Sequence, residues 1–250
     1  MSVRQLSSMT WEEVRDLDRK TAVVVLPIGA IEAHGPHLPL STDVIISEAM
    51  ARSGSEMLGD KGYEVVVAPP IQYAPAGFAS GFPGTISIGA ATLQAMLRDI
   101  AASLAEHGFT TLAIANVHLD PDHLSAIDAF ASDPSLPLKV VFPNLVRRPF
   151  AARLTDEFQT GACHAGQFET SIVQAERADL VREGLRRDLA SNPVSLSKAI
   201  GNGATRFEEI GGDRAYFGFP AQASAAEGHT SVEALGAILA DAVMESFDGT

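Results

Sequence analysis

The stretch Ala22–Ile28 has the sequence AVVVLPI, a continuous apolar run that is rich in β-branched residues. Such a run is typical of a strand that is buried on both faces, as strands are in parallel sheets. Residues 43–58 then carry apolar side chains at helical spacing, and this pattern ends before Gly59. The first part of the chain therefore predicts a buried strand followed by a helix.

Strand and helix patterns continue to alternate along the chain. The further predicted strands are residues 63–68, 110–116 and 138–142, and the further predicted helices are residues 92–107, 122–131, 170–185 and 231–247. This alternation predicts an α/β fold with a mostly parallel central sheet, flanked by helices on both faces, in a single domain over residues 1–250. In sheets of this kind, ligands bind at the carboxyl ends of the strands.

The composition limits the classes of partner. The 250 residues include 18 Lys and Arg against 31 Asp and Glu, a formal net charge of −13, which disfavours nucleic-acid binding. No secretory signal and no membrane-spanning run is recognisable, so we expect a cytoplasmic protein that acts on a small molecule and not at a membrane. Cys163 is the single cysteine, which excludes a Cys-based zinc cluster. Any metal site must therefore use imidazoles and carboxylates.

Such side chains follow two of the predicted strands. Glu32, His34 and Asp43 come after the first strand, whereas His118 and Asp120 come after residues 110–116. Side chains two positions apart in an extended segment leave on the same face, and this is the spacing within each strand-end pair. Because both strand ends lie at one edge of a parallel sheet, we expect the five side chains to form a divalent-metal site.

Five candidate ligands are more than one tetrahedral ion needs. Two ions could be held if Asp43, at the start of the following helix, bridges them. Two ions that share a water would make hydroxide available at neutral pH. The pattern therefore predicts metal-assisted hydrolysis by a metal-bound hydroxide, although Asp43 could also be only a helix cap.

The stretch 26–43, LPIGAIEAHGPHLPLSTD, closely resembles the opening motif of the creatininase (creatinine amidohydrolase) family. Further matches follow in the same order at 82–87 (FPGTIS), 116–118 (NVH), 164–171 (HAGQFETS) and 223–228 (ASAAEG). The resemblance implies an α/β subunit, commonly assembled as a homohexamer. It also implies a divalent metal centre, often with two ions, of zinc, manganese or iron.

The resemblance implies a role for each matched residue. Glu32 and His118 correspond to ligands of one ion, His34 to a ligand of the other, and Asp43 to the bridge. Asp120 stands where creatininase has a longer Glu and where many relatives have a Gly-rich segment.

Two further matched residues lie near the substrate in the family. His164 matches a histidine that would protonate the leaving nitrogen. Glu169 could hold a metal-bound water, orient His164, or cap a helix beginning at Thr170.

Several departures from the family argue against creatinine as the substrate. Gln167 stands where many relatives have Glu, Gly81 stands where a Glu-His pair is usual nearby, and Phe219 stands where many have Asp. The only tryptophan, Trp11, lies far from every motif, so a substrate stacked on indole is not expected. We expect a metal-dependent amidohydrolase for a non-peptide C–N bond in a small cyclic amide or formamide.

Two alternatives to this function stay open. One is a metal-dependent hydrolase or isomerase of a sugar-derived cyclic ketone or lactone. The other is a non-catalytic metal-binding protein with a structural or regulatory role.

Other residues are given simpler interpretations. The acidic pair Asp156-Glu157 is predicted to lie on a solvated face, and His123 to be a substrate contact or a surface residue. Residues 69–89 are predicted to be a long ordered loop, within which 77–81 suits a cover for a pocket.

Overall fold

A five-stranded parallel sheet forms the centre of the structure, a computed structural model that describes residues 3–248. The strand order is β1-β3-β2-β4-β5, and every neighbouring pair is parallel. This arrangement confirms the predicted α/β class and the parallel sheet. The strands are β1 (Arg4–Gln5), β2 (Ala22–Ile28), β3 (Glu64–Val67), β4 (Thr111–Asn116) and β5 (Lys139–Val141).

Helices cover both faces of this sheet. The α-helices of the described residues are α1 (Trp11–Arg15), α2 (Thr42–Asp60), α3 (Ala90–Glu106), α4 (Pro121–Ala131), α5 (Arg148–Ala151), α6 (Asp156–Thr160), α7 (Gln167–Arg177), α8 (Glu183–Arg186), α9 (Leu196–Gly201) and α10 (Ala225–Asp248). No helix within residues 3–248 combines the length and the apolar character needed to cross a membrane.

The central strand β2 joins the two halves of the hydrophobic core. All seven of its residues are buried, and their side chains alternate between the two faces. Val23 and Val25 pack in a core with α2, α7 and α10, whereas Val24 and Leu26 pack in a second core with α3 and α4. Burial on both faces explains why β2 is a continuous apolar run.

Two helices differ from their predicted limits by more than two residues. The helix predicted over 170–185 ends at Arg177, because Val181 enters the core and the Arg182 N–H donates to the carbonyl of His37 at 2.9 Å. The last helix begins at Ala225 rather than at residue 231. Its first turn is capped by Ser224, whose hydroxyl accepts from a backbone N–H of that turn at 3.3 Å. Tertiary contacts thus override the local pattern.

Candidate metal centre

The loop after β2 and the end of β4 bring four of the predicted ligands together. Glu32 and His34 lie in the loop, Asp43 lies in the first turn of α2, and His118 follows β4. All four side chains are buried. The approach of α2 depends on Gly29, because a Cβ there would lie 2.5 Å from the backbone nitrogen of Val44.

Asp43 lies at the middle of this group. Its Oδ1 is 3.2 Å from Nε2 of His34, and its Oδ2 is 3.0 Å from Nδ1 of His118. Glu32 Oε1 lies 3.4 Å from the same His118 nitrogen. Each oxygen of Asp43 thus faces a different imidazole, which is the arrangement that a bridging carboxylate requires.

Backbone carbonyls fix which nitrogen of each imidazole faces the carboxylates. Nδ1 of His34 lies 3.2 Å from the carbonyl of Glu32, and Nε2 of His118 lies 2.7 Å from the carbonyl of Pro75. A carbonyl oxygen only accepts hydrogen bonds, so each of these nitrogens carries a proton and donates a hydrogen bond to it. The neutral form of each ring therefore presents its lone pair to Asp43, as a metal ligand must.

The arrangement fits a divalent cation. Buried Nε2 of His34 and Oδ2 of Asp43 have no hydrogen-bond partner of suitable geometry. A mixed set of imidazole nitrogens and carboxylate oxygens suits zinc, manganese or iron. Three overlapping groups have ligand atoms within 4.8 Å of one another, namely Glu32 with Asp43 and His118, His34 with Asp43 and Glu169, and Glu32 with His34 and His164.

The charges of the protein chain itself also favour a bound cation. Burial favours the neutral form of His34, but Asp43, Glu169 and Glu32 outweigh it and raise the pKa of His34 to about 10. The pKa of His118 is likewise raised, by Glu32 and Asp43 against the effect of burial. Burial opposes ionisation of Asp43, yet the two imidazoles hold its pKa well below the usual range. Protons on the imidazoles balance carboxylates that a metal ion would otherwise neutralise.

His164 approaches this group from the turn before α7. Its Nε2 donates to the carbonyl of Ala33 at 2.9 Å, and its Nδ1 lies 3.8 Å from Glu32 Oε1. The ring centroid lies 4.3 Å from that of His34 and 4.4 Å from that of Phe207. Burial and the neighbouring His34 lower the pKa of His164, which is therefore neutral at pH 7.

Glu169 lies in the first turn of α7 and not ahead of it. Because α7 begins at Gln167, a cap on a helix that begins at Thr170 is wrong. Glu169 Oε2 accepts the N–H of Ala165 at 2.6 Å and lies 3.5 Å from Nε2 of His34. Burial raises the pKa of Glu169 to about 8. The side chain thus belongs to the group of ionisable side chains and also holds the turn that carries His164.

Asp120 stands apart from the three ligand groups, although it faces the same cavity. Its Oδ1 accepts the N–H groups of Asp122 at 2.9 Å and of His123 at 3.4 Å, so Asp120 caps α4. Its Oδ2 accepts the N–H of Phe78 at 3.3 Å. Its ligand role stays a prediction, and in this structure both of its oxygens bind backbone.

His123 packs beside His118 and supports the segment that carries it. The prediction of a surface residue is wrong, because the side chain is fully buried. Its Nε2 donates to Oδ1 of Asn116 at 2.7 Å, while Nδ2 of Asn116 donates to the carbonyl of His118 at 2.8 Å. The rings of His123 and His118 lie 4.7 Å apart. Asn116 and His123 thereby fix the segment that carries His118.

Glu157 is a second residue whose predicted exposure is wrong. Its side chain is buried, not solvated. Oε1 accepts the N–H groups of Gln167 at 2.8 Å and Phe219 at 2.7 Å, and Oε2 accepts the N–H of Phe168 at 2.7 Å. Glu157 therefore caps α7 and ties it to residue 219. No local sequence signal distinguishes this carboxylate from the exposed one of Asp156.

A cavity of about 220 Å³ opens from these side chains. Six of these side chains form what we call the acid–imidazole cluster: Glu32, His34, Asp43, His118, His164 and Glu169. All of them except His34 line the cavity, where they form its polar end. The rest of the lining, its apolar end, is mostly apolar: it includes Phe78, Val146, Leu196, Ile200 and Phe207, with Asp120, Gln159 and Ser197 as further polar side chains. Of residues 77–81, predicted to cover a pocket, Phe78 lines this cavity.

A parallel α/β sheet with such a cluster at the carboxyl ends of its strands belongs to a class of fold and site that includes metal-dependent hydrolases. Within that class, this chain belongs to the creatininase family, because the family model described as creatinine amidohydrolase matches residues 7–243. This match confirms the expected membership, and members of this family are hydrolases.

The curated relatives share parts of the chain. A mycofactocin precursor peptide peptidase of Mycolicibacterium smegmatis is 43% identical over 90 residues, 36% of each chain. A creatinine amidohydrolase of Pseudomonas putida is 32% identical over 46% of this chain and 45% of its own. A 3-dehydro-scyllo-inosose hydrolase of Thermotoga maritima is 24% identical over 69% of this chain and 52% of its own. The chain thus spans less than half the length of the first two relatives.

Solved structures match over the whole chain. A mutant creatininase complexed with creatine has a TM-score of 0.74 and 26% identity, with 99% of both chains covered. Related creatininase structures are described as manganese and zinc–zinc forms. Together with the ligand groups described above, these forms support a divalent metal in this chain.

Proposed function

We propose that this protein is a metal-dependent amidohydrolase that cleaves the non-peptide C–N bond of a small cyclic amide or formamide. The observation that carries the proposal is the position of Asp43 between His34 and His118 at the polar end of the cavity. Glu32 and His118 would hold one ion, His34 and Glu169 a second, and Asp43 both. A divalent metal there would acidify a water and polarise the substrate carbonyl.

His164 is suited to move the proton that the reaction requires. Its Nε2 is occupied by the carbonyl of Ala33, so the neutral ring has its lone pair at Nδ1, toward Glu32. Nδ1 can take a proton from the attacking water and return it to the leaving nitrogen. Glu169 holds the N–H of Ala165 and thereby the orientation of this ring.

The names of the relatives support the type of bond. An amidohydrolase and a peptidase both cleave an amide-type C–N bond. The choice of a small amide over a peptide is part of our proposal. It rests on the volume of the cavity, about 220 Å³, which gives space for a small molecule beside the cluster.

A second candidate is hydrolysis of a sugar-derived cyclic ketone, favoured by the relative that is named an inosose hydrolase. A polyol needs many hydrogen-bonding partners. Outside the cluster, Asp120, Gln159 and Ser197 supply most of the polar side chains of the cavity, and Asp120 already binds backbone. The lining therefore favours the amide.

Metal analysis combined with a substrate panel tests the proposal. Wild-type protein, His118→Ala and the exposed control His107→Ala would be loaded with zinc or manganese, desalted and analysed. We expect wild type and His107→Ala to keep metal and to hydrolyse a cyclic amide or a formamide, whereas His118→Ala loses both properties. Wild-type metal content in His118→Ala would contradict the assigned ligands.

The same panel separates the three functions. Turnover of sugar lactones or ketones without turnover of amides would favour the second candidate. Metal binding without any turnover would favour a structural or regulatory role.

We also propose a cytoplasmic homohexamer, on the strength of the family resemblance. Light scattering coupled to gel filtration should give the mass of six chains. The mass of one chain would contradict this assembly.

A further inference from the structure

The apolar end of the cavity is built by a part of the chain that holds no predicted site residue. Helix α9 presents Leu196 and Ile200, four positions apart and therefore on one helical face, and adds the polar Ser197 to the lining. Leu196 packs with Phe78 around buried Phe207, which also contacts the ring of His164. Val146, 52% exposed, lines the cavity from another loop. Apolar side chains thus line the cavity both beside the proposed proton carrier and at the exposed Val146.

The size of this space exceeds what the reacting group alone needs. The cavity has a volume of about 220 Å³. A cavity of about 150 Å³ lined by apolar side chains holds one benzene ring. There is therefore room for a carbonyl group against the cluster and for a ring or a branched chain beyond it.

The charge of the lining limits what that substituent can be. No Lys or Arg occurs among the described residues that line the cavity. Outside the cluster, the one charged side chain is Asp120, and its oxygens already accept backbone N–H groups. A carboxylate on the substrate would lose hydration here without gaining a cationic partner, whereas an apolar group gains free energy when it leaves water.

We propose that the scissile amide carries a bulky, uncharged apolar substituent, an aromatic ring or a branched aliphatic chain, which binds between α9 and Phe207. This inference rests on the proposed function and narrows its substrate class. Creatinine-sized substrates would leave the apolar end unfilled. Specificity then resides in the wall formed by α9, separately from the acid–imidazole cluster.

Binding of hydroxamates tests the preference of the apolar wall without any need for substrate hydrolysis. A hydroxamate group binds divalent metals whatever substituent it carries, so differences in affinity report on the substituent. Zinc-loaded protein would be titrated with acetohydroxamate, phenylacetohydroxamate and succinic monohydroxamate. We expect phenylacetohydroxamate to bind about tenfold or more tightly than acetohydroxamate, and the succinic compound to gain nothing.

Two matched variants locate the effect. Ile200→Lys should remove the phenyl preference and favour the succinic compound, because it places a cation in the apolar wall. Val194→Lys puts the same charge on an exposed residue outside the cavity lining and should behave as wild type. Equal affinities for the three hydroxamates, or a phenyl preference that survives in Ile200→Lys, would overturn the inference.

Hydrolysis by the same preparations separates the inference from the proposed function. Hydantoins with isobutyl, benzyl or carboxymethyl groups at position 5 would be compared by kcat/KM. A phenyl preference in binding without hydrolysis of any amide would refute the proposed amidohydrolase and retain the apolar site. Hydrolysis with equal kcat/KM for all three would retain the amidohydrolase and refute the inference.

Discussion

Gly29 gives a sharp test of how the fold positions Asp43. Gly29 directly follows β2 and lies against the first turn of α2. A Cβ at this position would lie 2.5 Å from the nitrogen of Val44 and 2.7 Å from the carbonyl carbon of Asp43. Both are backbone atoms that cannot rotate away. Ordinary contact begins at 3.4 Å, so Gly29→Ala would move the first turn of α2 by the difference from 2.5 Å, about 0.9 Å.

A displacement of that size is large compared with the tolerance of a metal site. Metal–ligand distances in proteins hold to within about 0.2 Å. Asp43 moves with the helix, while His34 and His118 stay with the loop and the strand. We expect metal affinity to fall by about 100-fold or more, since loss of even a supporting partner costs about 10–100-fold. Overpacking should also lower the free energy of unfolding by about 1–3 kcal/mol.

The assay is competition with a chelator of known affinity, together with urea unfolding. Gly59→Ala is the matched control, because Gly59 lies near the other end of α2 and a Cβ there meets nothing within 4 Å. This control should bind metal normally and gain up to about 1 kcal/mol of stability, as expected when Ala replaces a helical Gly. Wild-type metal affinity in a folded Gly29→Ala protein would refute the view that this contact positions Asp43.

Three further predictions concern the supports and the charge of the site. Glu157→Gln should lower the free energy of unfolding, measured in urea, by about 1–3 kcal/mol, because the amide NH₂ of Gln cannot accept a backbone N–H. The control Asp156→Asn, at the exposed neighbouring residue, should change nothing measurable. Equal effects of the two substitutions would contradict this account. His123→Leu should weaken metal binding about tenfold in the chelator competition, and unchanged affinity would show that His123 does not support His118. Metal binding at pH 8 should release more than one proton, since the pKa of His34 is raised to about 10 and that of Glu169 to about 8. Calorimetry in buffers of different ionisation enthalpy measures this number, and release of less than one proton would count against those pKa values.

The central strands of the sheet could be predicted because the pattern that determines them lies within each strand's own sequence. The limits of β2 follow from seven continuous apolar residues that end at Gly29. By contrast, β1 contains only Arg4 and Gln5, which are exposed and follow no hydrophobic pattern. The end of α7 could not be predicted either, because it depends on the entry of Val181 into the core.

The site was predictable as far as strand ends determine it. Glu32 and His34 converge with His118 because β2 and β4 are parallel neighbours. The same alternate spacing does not bring Asp120 into the three ligand groups, because the following Pro121 begins a helix that uses the carboxylate as its cap. Glu157 lay beyond prediction, because its partners are 10, 11 and 62 residues away in the chain.

The charge of the site couples metal binding to the protonation of its imidazoles. Glu32, Asp43 and Glu169 are buried together, and burial of unpaired carboxylates opposes folding. The raised pKa values of His34 and His118 show that protons on these rings can compensate. The hydrophobic cores on the two faces of the sheet do not include these ionisable side chains, so the sheet can assemble with the imidazoles protonated. A divalent ion that binds here would displace those protons, and its affinity would rise with pH until both imidazoles are neutral.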